Sequence, residues 1–225
     1  ALAHAGQWLV GPYRADIVTI AGLLYLLPGM TLTVALTELS TRNLVSGTAR
    51  FTMAVLILLE LAFGVAIGSR VELLGPKMAS LDVIPLPPSA TLVALAVATL
   101  SFALLFRARL KDIPWILGAS AIAFYSARVG ASWLGPHLGA WVGAFAVGLA
   151  CNAYARLLDR PPIVLLVPAI LMLVPGSIGL KSVTWLLKSE TVKAVDAAFE
   201  MTMIGMALAV GMLVANVVLS PKRDL

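Results

Sequence analysis

Seven long apolar runs dominate this chain, and each is close to the roughly 20 residues that an α-helix needs to cross a bilayer. Hydrophobic residues make up 60% of its 225 positions and charged residues only 12%, with a mean hydropathy of +0.99. This composition lies far from that of a soluble domain. Because a backbone in lipid must satisfy its own hydrogen bonds, the sequence predicts an all-α polytopic membrane protein with about seven transmembrane segments. The predicted segments are 15–40, 49–69, 88–106, 112–129, 136–155, 161–187 and 196–219.

Two of these runs are interrupted by a proline-glycine pair, Pro28-Gly29 and Pro175-Gly176. Proline removes a backbone donor and glycine loosens the backbone, so a membrane helix unwinds or kinks at such a pair. The piece before each break would be about 20 Å long, which is too short to cross about 30 Å of hydrocarbon alone. The piece after the break must complete the crossing or turn back as a re-entrant hairpin, and the sequence leaves both open.

Basic residues concentrate in short connections, and their distribution predicts orientation. Arginine and lysine stand in 42–50, 107–111, 156–160 and the C-terminal tail, which share one side if every segment crosses once. The distribution therefore predicts a multi-pass membrane protein with a cytoplasmic C-terminus. We expect its membrane to be a bacterial inner membrane. Connection 181–193 departs from the trend, because it carries three lysines against one glutamate. The net charge of +5 is assigned to these loops, and no nucleic-acid surface is expected.

A connection rich in proline and charge divides the chain. Four prolines and four charged residues fall between positions 70 and 88, where they disfavour a helix. We therefore predict the end of a first membrane domain with two segments (1–69), a linker (70–87) and a second, five-helix membrane domain (88–225).

The two breaks have matching surroundings. Their prolines stand 147 positions apart (175 minus 28), and five crossings separate the starts of the two broken segments. An odd number of crossings gives the two units opposite orientations, which is typical of the inverted repeats of transporters. The pattern predicts part of a five-plus-five inverted repeat, with three segments expected before Ala1. Two independent proline kinks in an ordinary bundle are the alternative.

Polar groups beside the breaks are candidate substrate contacts. Free amides at the start of a half-helix carry partial positive charge and suit a carboxylate, and nearby hydroxyls could bind an ammonium or hydroxyl group. The alternatives are a hydroxyl that bonds back to the preceding helical turn, an amide that bonds across helices and a solvated lysine. The candidate substrate-binding residues are Pro28, Gly29, Thr31, Thr33, Asn152, Pro175, Gly176, Ser177 and Lys181, of which Thr31 and Ser177 are favoured by their closeness to the breaks.

Three acids are candidate proton-coupling residues: Glu38, Glu60 and Glu200. Glu60 lies in the middle of a predicted segment, where an acid costs roughly 2.5–3.5 kcal/mol on insertion and is expected to face protein or water. It either exchanges protons during transport or stays neutral and bonds to a neighbouring helix. Glu38 could instead pair with a zwitterionic substrate or be solvated, and Glu200 could be an interfacial acid.

The motifs around the breaks resemble those of the threonine/serine exporter family. Residues 26–50, LLPGMTLTVALTELSTRNLVSGTAR, resemble the end of its first membrane domain. Residues 88–219 are similar to its second membrane domain, most clearly at Asn152-Ala153-Tyr154-Ala155-Arg156, at Arg160-Pro161-Pro162 and at Leu173-Val174-Pro175-Gly176-Ser177. The resemblance implies five plus five helices in two related domains, so this chain would be the C-terminal part of a longer protein.

The resemblance also implies the function. We expect a secondary exporter of threonine and serine, coupled to protons by antiport, in contact with lipid and without a cofactor, a metal site or enzymatic activity. Relatives with two separate chains are associated with dicarboxylate export, which is the first alternative. An intramembrane enzyme using Ser132 and His137 and a non-transporting scaffold domain are the others, and a homo-oligomer is left open.

Overall fold

The computed structural model describes residues 15–23, 25–72 and 88–220, which form α-helices with no strand among them. The predicted all-α fold class is therefore confirmed for this part of the chain, whereas most of the predicted linker 70–87 lies outside it. A 3₁₀ turn at Leu110–Asp112 joins the fourth and fifth helices. The helices are α1 (Ala15–Leu23), α2 (Gly29–Ser40), α3 (Leu44–Glu72), α4 (Pro88–Leu105), α5 (Ile113–Leu134), α6 (Pro136–Leu158), α7 (Ile163–Leu171), α8 (Gly176–Leu187) and α9 (Thr191–Val218).

The helices follow the predicted apolar segments closely. The first broken segment corresponds to α1 and α2, and the second to α7 and α8. Four stretches are long and apolar enough to cross a bilayer: Leu44–Gly68, Pro136–Leu158, Ile163–Leu187 and Thr191–Val218. Shorter apolar helices lie at Gly29–Leu39 and Ser89–Leu105. The chain is thus a helical membrane protein, and the crossings beyond these four stay predictions.

Small residues let α5 and α6 pack with their backbones close together. A methyl group placed on Gly139 would lie 2.6 Å from the Ala131 nitrogen, and one on Gly143 would lie 2.8 Å from Ala127 Cβ. These two glycines therefore pack against a neighbouring helix, as small residues commonly do in membranes. By contrast, a methyl group on Gly64 would meet nothing within 4 Å in the described part of the chain, so Gly64 has no packing partner among those residues.

Helix α9 is central because it packs against both halves of the bundle. A methyl group on Gly211 would lie 2.7 Å from the Trp141 carbonyl oxygen, and one on Gly148 would lie 2.6 Å from Ala215 Cβ, so α9 and α6 are in close contact. One buried apolar cluster joins α5, α6, α7 and α9, and Leu208 of α9 is fully buried within it.

A second buried cluster joins α2, α3, α8 and α9 around Leu32, Leu36, Leu58 and Leu180. Within it, the helix after each proline-glycine pair packs against the long helix that follows the other pair. A methyl group on Gly205 of α9 would overlap Leu36 of α2, and one on Gly179 of α8 would lie 3.0 Å from Leu58 Cδ1 of α3. Packing α2 on α9 and α8 on α3 brings the starts of α2 and α8 side by side.

Candidate functional site

Each proline-glycine pair lies at a junction between two helices. The first junction (Leu27, Pro28, Gly29) separates α1 from α2, and the second junction (Val174, Pro175, Gly176) separates α7 from α8. Pro28 has φ −79° and ψ 38°, and Pro175 has φ −81° and ψ 28°. The two junctions therefore have nearly the same backbone conformation.

The prolines occupy the residue before each new helix because they have no N–H to donate to the preceding turn. Their carbonyl groups remain available as the first acceptors of the next helix. Leu32 N–H donates to the Pro28 carbonyl at 2.9 Å, and Gly179 N–H donates to the Pro175 carbonyl at 3.1 Å. Both bonds span four residues, so each junction ends one helix and begins another within a few positions.

The two junctions are in direct contact. A methyl group placed on Gly176 would lie 3.2 Å from Leu27 Cβ and 3.5 Å from Gly29 Cα. A methyl group placed on Gly29 would overlap the Val174 side chain. The absence of a side chain on Gly29 and Gly176 lets the two segments approach this closely, and Pro28, Gly29, Pro175 and Gly176 are all buried.

No side chain caps the N-terminus of α2 or α8, and neither helix has an acidic residue in its first turn. The amides at a helix start carry a partial positive charge, and a capping side chain or an acid normally compensates it. Because neither is present, two uncompensated helix starts lie beside each other at the contact of the junctions. This arrangement suits an anionic group such as a carboxylate.

The hydroxyl groups near the junctions fall into two sets. Thr33 Oγ1 donates to the Gly29 carbonyl at 3.1 Å and Thr37 Oγ1 donates to the Thr33 carbonyl at 2.8 Å, so both bond back to the preceding turn. Thr31 and Ser177 are partly exposed, and their hydroxyls make no hydrogen bond to a residue that the structure describes. Of the candidate hydroxyls, these two remain available to a ligand.

Glu38 forms an ion pair at the far end of α2. Its Oε1 atom lies 3.1 Å from Arg50 Nε of α3, and its Oε2 atom is buried without a hydrogen-bond partner among the described residues. The pair links α2 to the start of α3. Glu38 lies about 13 Å along the helix from Gly29, so it is not adjacent to the contact of the junctions.

The other two candidate acids and Lys181 lie elsewhere. Glu60 is exposed in the middle of α3, on a face that we call the α3 outer stripe; its members are Met53, Leu56, Glu60, Phe63 and Ile67. Glu200 is partly buried on α9, and Lys181 is exposed on α8. The structure therefore brings the two proline-glycine pairs together, and no hydrogen bond or ion pair among the described residues joins a candidate proton-coupling acid to them.

Two protein-family models match the parts of the chain that contain the two junctions. A family model described as "Threonine/Serine exporter, ThrE" matches residues 91–218, and a second model of the same exporters matches residues 1–72. The first match alone covers more than half of the chain. The chain belongs to the threonine/serine exporter family.

The curated relatives of this exporter-family chain are fungal and much longer. It is 27% identical to Pheromone-regulated membrane protein 10 of Saccharomyces cerevisiae over 178 residues, which are 72% of this chain and 44% of the relative. The protein of the same name from Zygosaccharomyces rouxii is 26% identical over 195 residues, 80% of this chain and 20% of the relative. An uncharacterized protein of Schizosaccharomyces pombe is 27% identical over 161 residues, 67% of this chain and 19% of the relative.

The matched part of the chain thus spans 19% to 44% of the length of these three relatives. No solved structure matches it significantly. Family membership therefore rests on the two family models, which both describe exporters of threonine and serine.

Asn152, which lies in a family motif, joins helix ends in this exporter-family chain. Its Nδ2 atom donates to Asn216 Oδ1 at 2.8 Å and to the Leu219 carbonyl at 2.7 Å. One turn later, Arg156 Nε donates to the Ser220 carbonyl at 2.8 Å. Both contacts link the end of α6 to the end of α9, which is the cross-helix role that the sequence left as the alternative for Asn152.

A polar cluster that the sequence did not single out lies where α6 ends and α7 begins. Arg160 Nη1 is 2.9 Å from Asp112 Oδ1 and 3.5 Å from the Tyr154 hydroxyl, and Asp112 is buried. The hydrogen bond that Arg160 donates to Tyr154, together with the nearby Asp112, raises the pKa of Arg160. Tyr154 and Arg160 both belong to the family motifs, and this was the available signal, but only the contact with Asp112 shows them to be one cluster.

The described residues contain no group of three or more histidine, cysteine, aspartate or glutamate side chains that could hold a metal ion. Ser132, one of the two residues of the enzyme alternative, donates its hydroxyl to the Val129 carbonyl at 2.7 Å. Membership of an exporter family indicates a transporter rather than an enzyme.

Proposed function

We propose that this protein is a secondary active exporter of small hydrophilic amino acids, threonine and serine, driven by exchange with protons. The substrate would bind where the two junctions meet. Residues of the site would be Pro28, Gly29, Thr31, Pro175, Gly176 and Ser177. Thr33, Lys181 and Asn152 would support this site from α2, α8 and α6 rather than form its centre.

The observation that carries this proposal is the pair of uncompensated helix starts in contact. An amino-acid substrate has a carboxylate, for which the free amides of α2 and α8 are suitable donors. It also has an ammonium group and, in threonine and serine, a hydroxyl group. The available hydroxyls of Thr31 and Ser177 can bond to either of these.

We further propose that α1–α3 and α7–α9 are the two matching parts of an inverted repeat. The hydrogen bonds of the connections that follow α2 and α8 support this. Asn43 N–H donates to the Glu38 carbonyl at 2.8 Å, and Glu190 N–H donates to the Trp185 carbonyl at 2.9 Å. Each residue of the second bond stands 147 positions after its counterpart, which is the offset between the two prolines.

The backbone and the packing support the same repeat. Arg42 and Ser189, again 147 positions apart, both have positive φ, at 65° and 61°. The exchanged packing of α2 on α9 and of α8 on α3 is the arrangement expected of two units related by a two-fold axis. In such a repeat the units cross the membrane in opposite directions and enclose the substrate near the midplane.

Glu60 is our proposed proton-coupling residue. A charged acid in the middle of an apolar helix is costly against lipid, so the α3 outer stripe should be covered by protein or water in the working transporter. Glu38 already has Arg50 as a partner and would stabilise the α2–α3 connection, and Glu200 is the weaker candidate. We place the protein in a bacterial inner membrane with a cytoplasmic C-terminus, and we predict domain limits at 1–69, 70–87 and 88–225.

A dicarboxylate exporter is the second candidate, because two helix starts can each receive a carboxylate. Transport assays separate the two. Inverted membrane vesicles that contain the protein should take up labelled threonine faster with a pH gradient than without one. Unlabelled serine should compete, and a four-carbon dicarboxylate should not. Gradient-independent or absent threonine flux would overturn the main proposal, and competition by the dicarboxylate alone would favour the second.

A further inference from the structure

A cavity of about 510 Å³ lies away from the junctions, where several helices end. Its walls come from the connection after α4, the 3₁₀ turn, the end of α6 and the start of α7. The helices that meet here include two of the stretches long enough to cross a bilayer, Pro136–Leu158 and Ile163–Leu187. A cavity at the ends of such helices lies close to the boundary between hydrocarbon and water. Trp115 is half-exposed, and its ring centre lies 5.5 Å from that of Tyr154. Tryptophan is enriched at the boundary between membrane and water, which agrees with this position.

The charges around the cavity are strongly unbalanced. Arg107, Arg109, Lys111 and Arg160 line it, and Asp112 is the single acid among its described lining residues. Asp112 is buried and paired with Arg160 at 2.9 Å. No ion pair joins Arg107, Arg109 or Lys111 to any residue within the described ranges, so three cations surround the cavity without a counter-charge.

Three cations close to other helix ends have partners. Arg50 pairs with Glu38, Lys193 lies 2.6 Å from Glu190, and Arg156 bonds to Ser220. The cluster at 107–111 is therefore not simply the usual excess of basic residues in a loop, because its cations converge on one cavity.

The part of the cavity lining that α7 contributes is apolar. Ile163, Val164, Val167 and Pro168 of α7 line it, and Ile163 is largely exposed. This wall continues along α7, part of a stretch that can cross the bilayer. A ligand that fits must therefore be anionic at one end and apolar at the other.

We propose that this cavity binds the phosphate headgroup of an anionic membrane lipid, with Arg107, Arg109 and Lys111 as its contacts. The first part of the acyl chains would lie along Ile163, Val164 and Val167. Basic pockets between membrane helices bind such headgroups by charge and by hydrogen bonds from arginine. Arg160 keeps the site in shape by holding Asp112. The inference is independent of the transported substrate.

The test uses the purified full chain in detergent and measures its thermal unfolding midpoint as lipid is added. Phosphatidylglycerol should raise the midpoint and phosphatidylcholine should not. The double variant Arg109→Gln/Lys111→Gln should weaken the apparent affinity for phosphatidylglycerol about 30-fold, from roughly fivefold per cation near an anionic headgroup. The matched control, Arg128→Gln/Lys188→Gln, removes one exposed arginine and one exposed lysine away from the cavity and should keep the wild-type affinity.

A second variant, Arg107→Gln, should weaken binding about fivefold and covers the case in which the double variant does not fold. Inorganic phosphate is tested alone to separate a lipid from a free anion. Equal affinity of the cavity and control variants would overturn the proposal. So would equal stabilisation by phosphatidylcholine, or stabilisation by inorganic phosphate as strong as that by the lipid.

Discussion

The first unit, α1–α3, and the second unit, α7–α9, each contain one junction. The two junctions have similar backbone conformations, but the two units differ in their surroundings. In the second unit, α9 is covered by α6, with Gly148 against Ala215 and Gly211 against Trp141. In the first unit, the long helix α3 has an outer stripe that no described residue covers, and a methyl group on Gly64, which stands 147 positions before Gly211, would have no described neighbour within 4 Å. The comparison teaches that the two junctions keep nearly the same backbone conformation although described residues cover the long helices that follow them to different extents.

The units also differ in the side chains they place at matching positions. Glu60 of α3 corresponds to Ala207 of α9, so the central acid exists in one unit only. Thr31 is the third residue after its proline, whereas Ser177 is the second after its own. Similar backbone conformations with different side chains would let both units contact the substrate while only the first unit exchanges protons.

The largest expected effect is on proton coupling, and it should differ between the two long helices α3 and α9. Glu60→Gln should abolish the stimulation of threonine flux by a pH gradient, because the amide cannot exchange a proton, while exchange without a gradient persists. Glu200→Gln in α9 is the control and should keep the stimulation. Vesicle flux measured with and without the gradient checks this, and a gradient response that survives in Glu60→Gln would assign coupling to another residue.

The next effect compares the two junction glycines. Gly29→Ala overlaps Val174, whereas the added methyl of Gly176→Ala lies 3.2 Å from its nearest neighbour. Overpacking of this kind costs about 1–3 kcal/mol, so Gly29→Ala should lower the free energy of unfolding in detergent by more than Gly176→Ala.

Two further variants control this comparison. Gly64→Ala points into open space and should have little effect, and Val174→Ala should partly restore the stability of Gly29→Ala. If Gly29→Ala were as stable as Gly64→Ala, the close contact of the junctions would be refuted.

A smaller effect tests whether both units contact the substrate. Thr31→Val and Ser177→Ala should each lower kcat/KM for threonine about tenfold, because a hydrogen bond to a charged group contributes about 1.5–3 kcal/mol, part of which water replaces. Thr184→Val removes a hydroxyl that is already bonded to the Leu180 carbonyl and should keep wild-type kinetics. An effect of only one of the two variants would show that the site belongs to one unit.

The smallest effect concerns the connections after α2 and α8. The hydrogen bond from Lys193 lowers the pKa of Glu190 below its usual 4.5. The interaction of Glu190 with Lys193 therefore stabilises the folded state above pH 4.5. This stabilisation is lost as the pH falls through the lowered pKa of Glu190 in the folded state.

The corresponding residue of the first unit is Asn43, which does not titrate in this range. Glu190→Gln should slightly lower the unfolding midpoint at neutral pH and leave it unchanged well below pH 4.5. Asn43→Ser should have the same effect at both values. A pH-independent effect of Glu190→Gln would contradict the role of the pair.

Much of the helical structure could be predicted from apolar runs and proline positions. The bounds 88–106 and 136–155 lie within a few residues of α4 and α6, and both breaks coincide with helix starts at glycine. The prediction was weaker at the start of α3, which was expected at residue 49 but lies at Leu44, because Ser46, Gly47 and Thr48 continue the helix although they are not strongly apolar.

The site was less predictable than the fold. Proximity to a break favoured Thr31 and Ser177 over Thr33, but the sequence left open whether each hydroxyl bonds back to the preceding turn, which Thr33 does by donating to the Gly29 carbonyl. The pairing of Glu38 with Arg50 and the cluster of Asp112 with Arg160 join residues 12 and 48 positions apart. Such pairs depend on how helices cross, which residue spacing does not specify.

The sequence by itself determined that this chain is a bundle of membrane helices with two proline-glycine junctions, because hydrophobicity and the missing proline donor act locally. Only the tertiary structure decided that the junctions touch, because Gly29 and Gly176 approach each other through the packing of α2 on α9 and of α8 on α3. It also decided that Glu60 lies on a face that no described residue covers, while Asn152 binds the end of α9. Contacts between distant segments follow from the summed packing of whole helices, and no short motif encodes them.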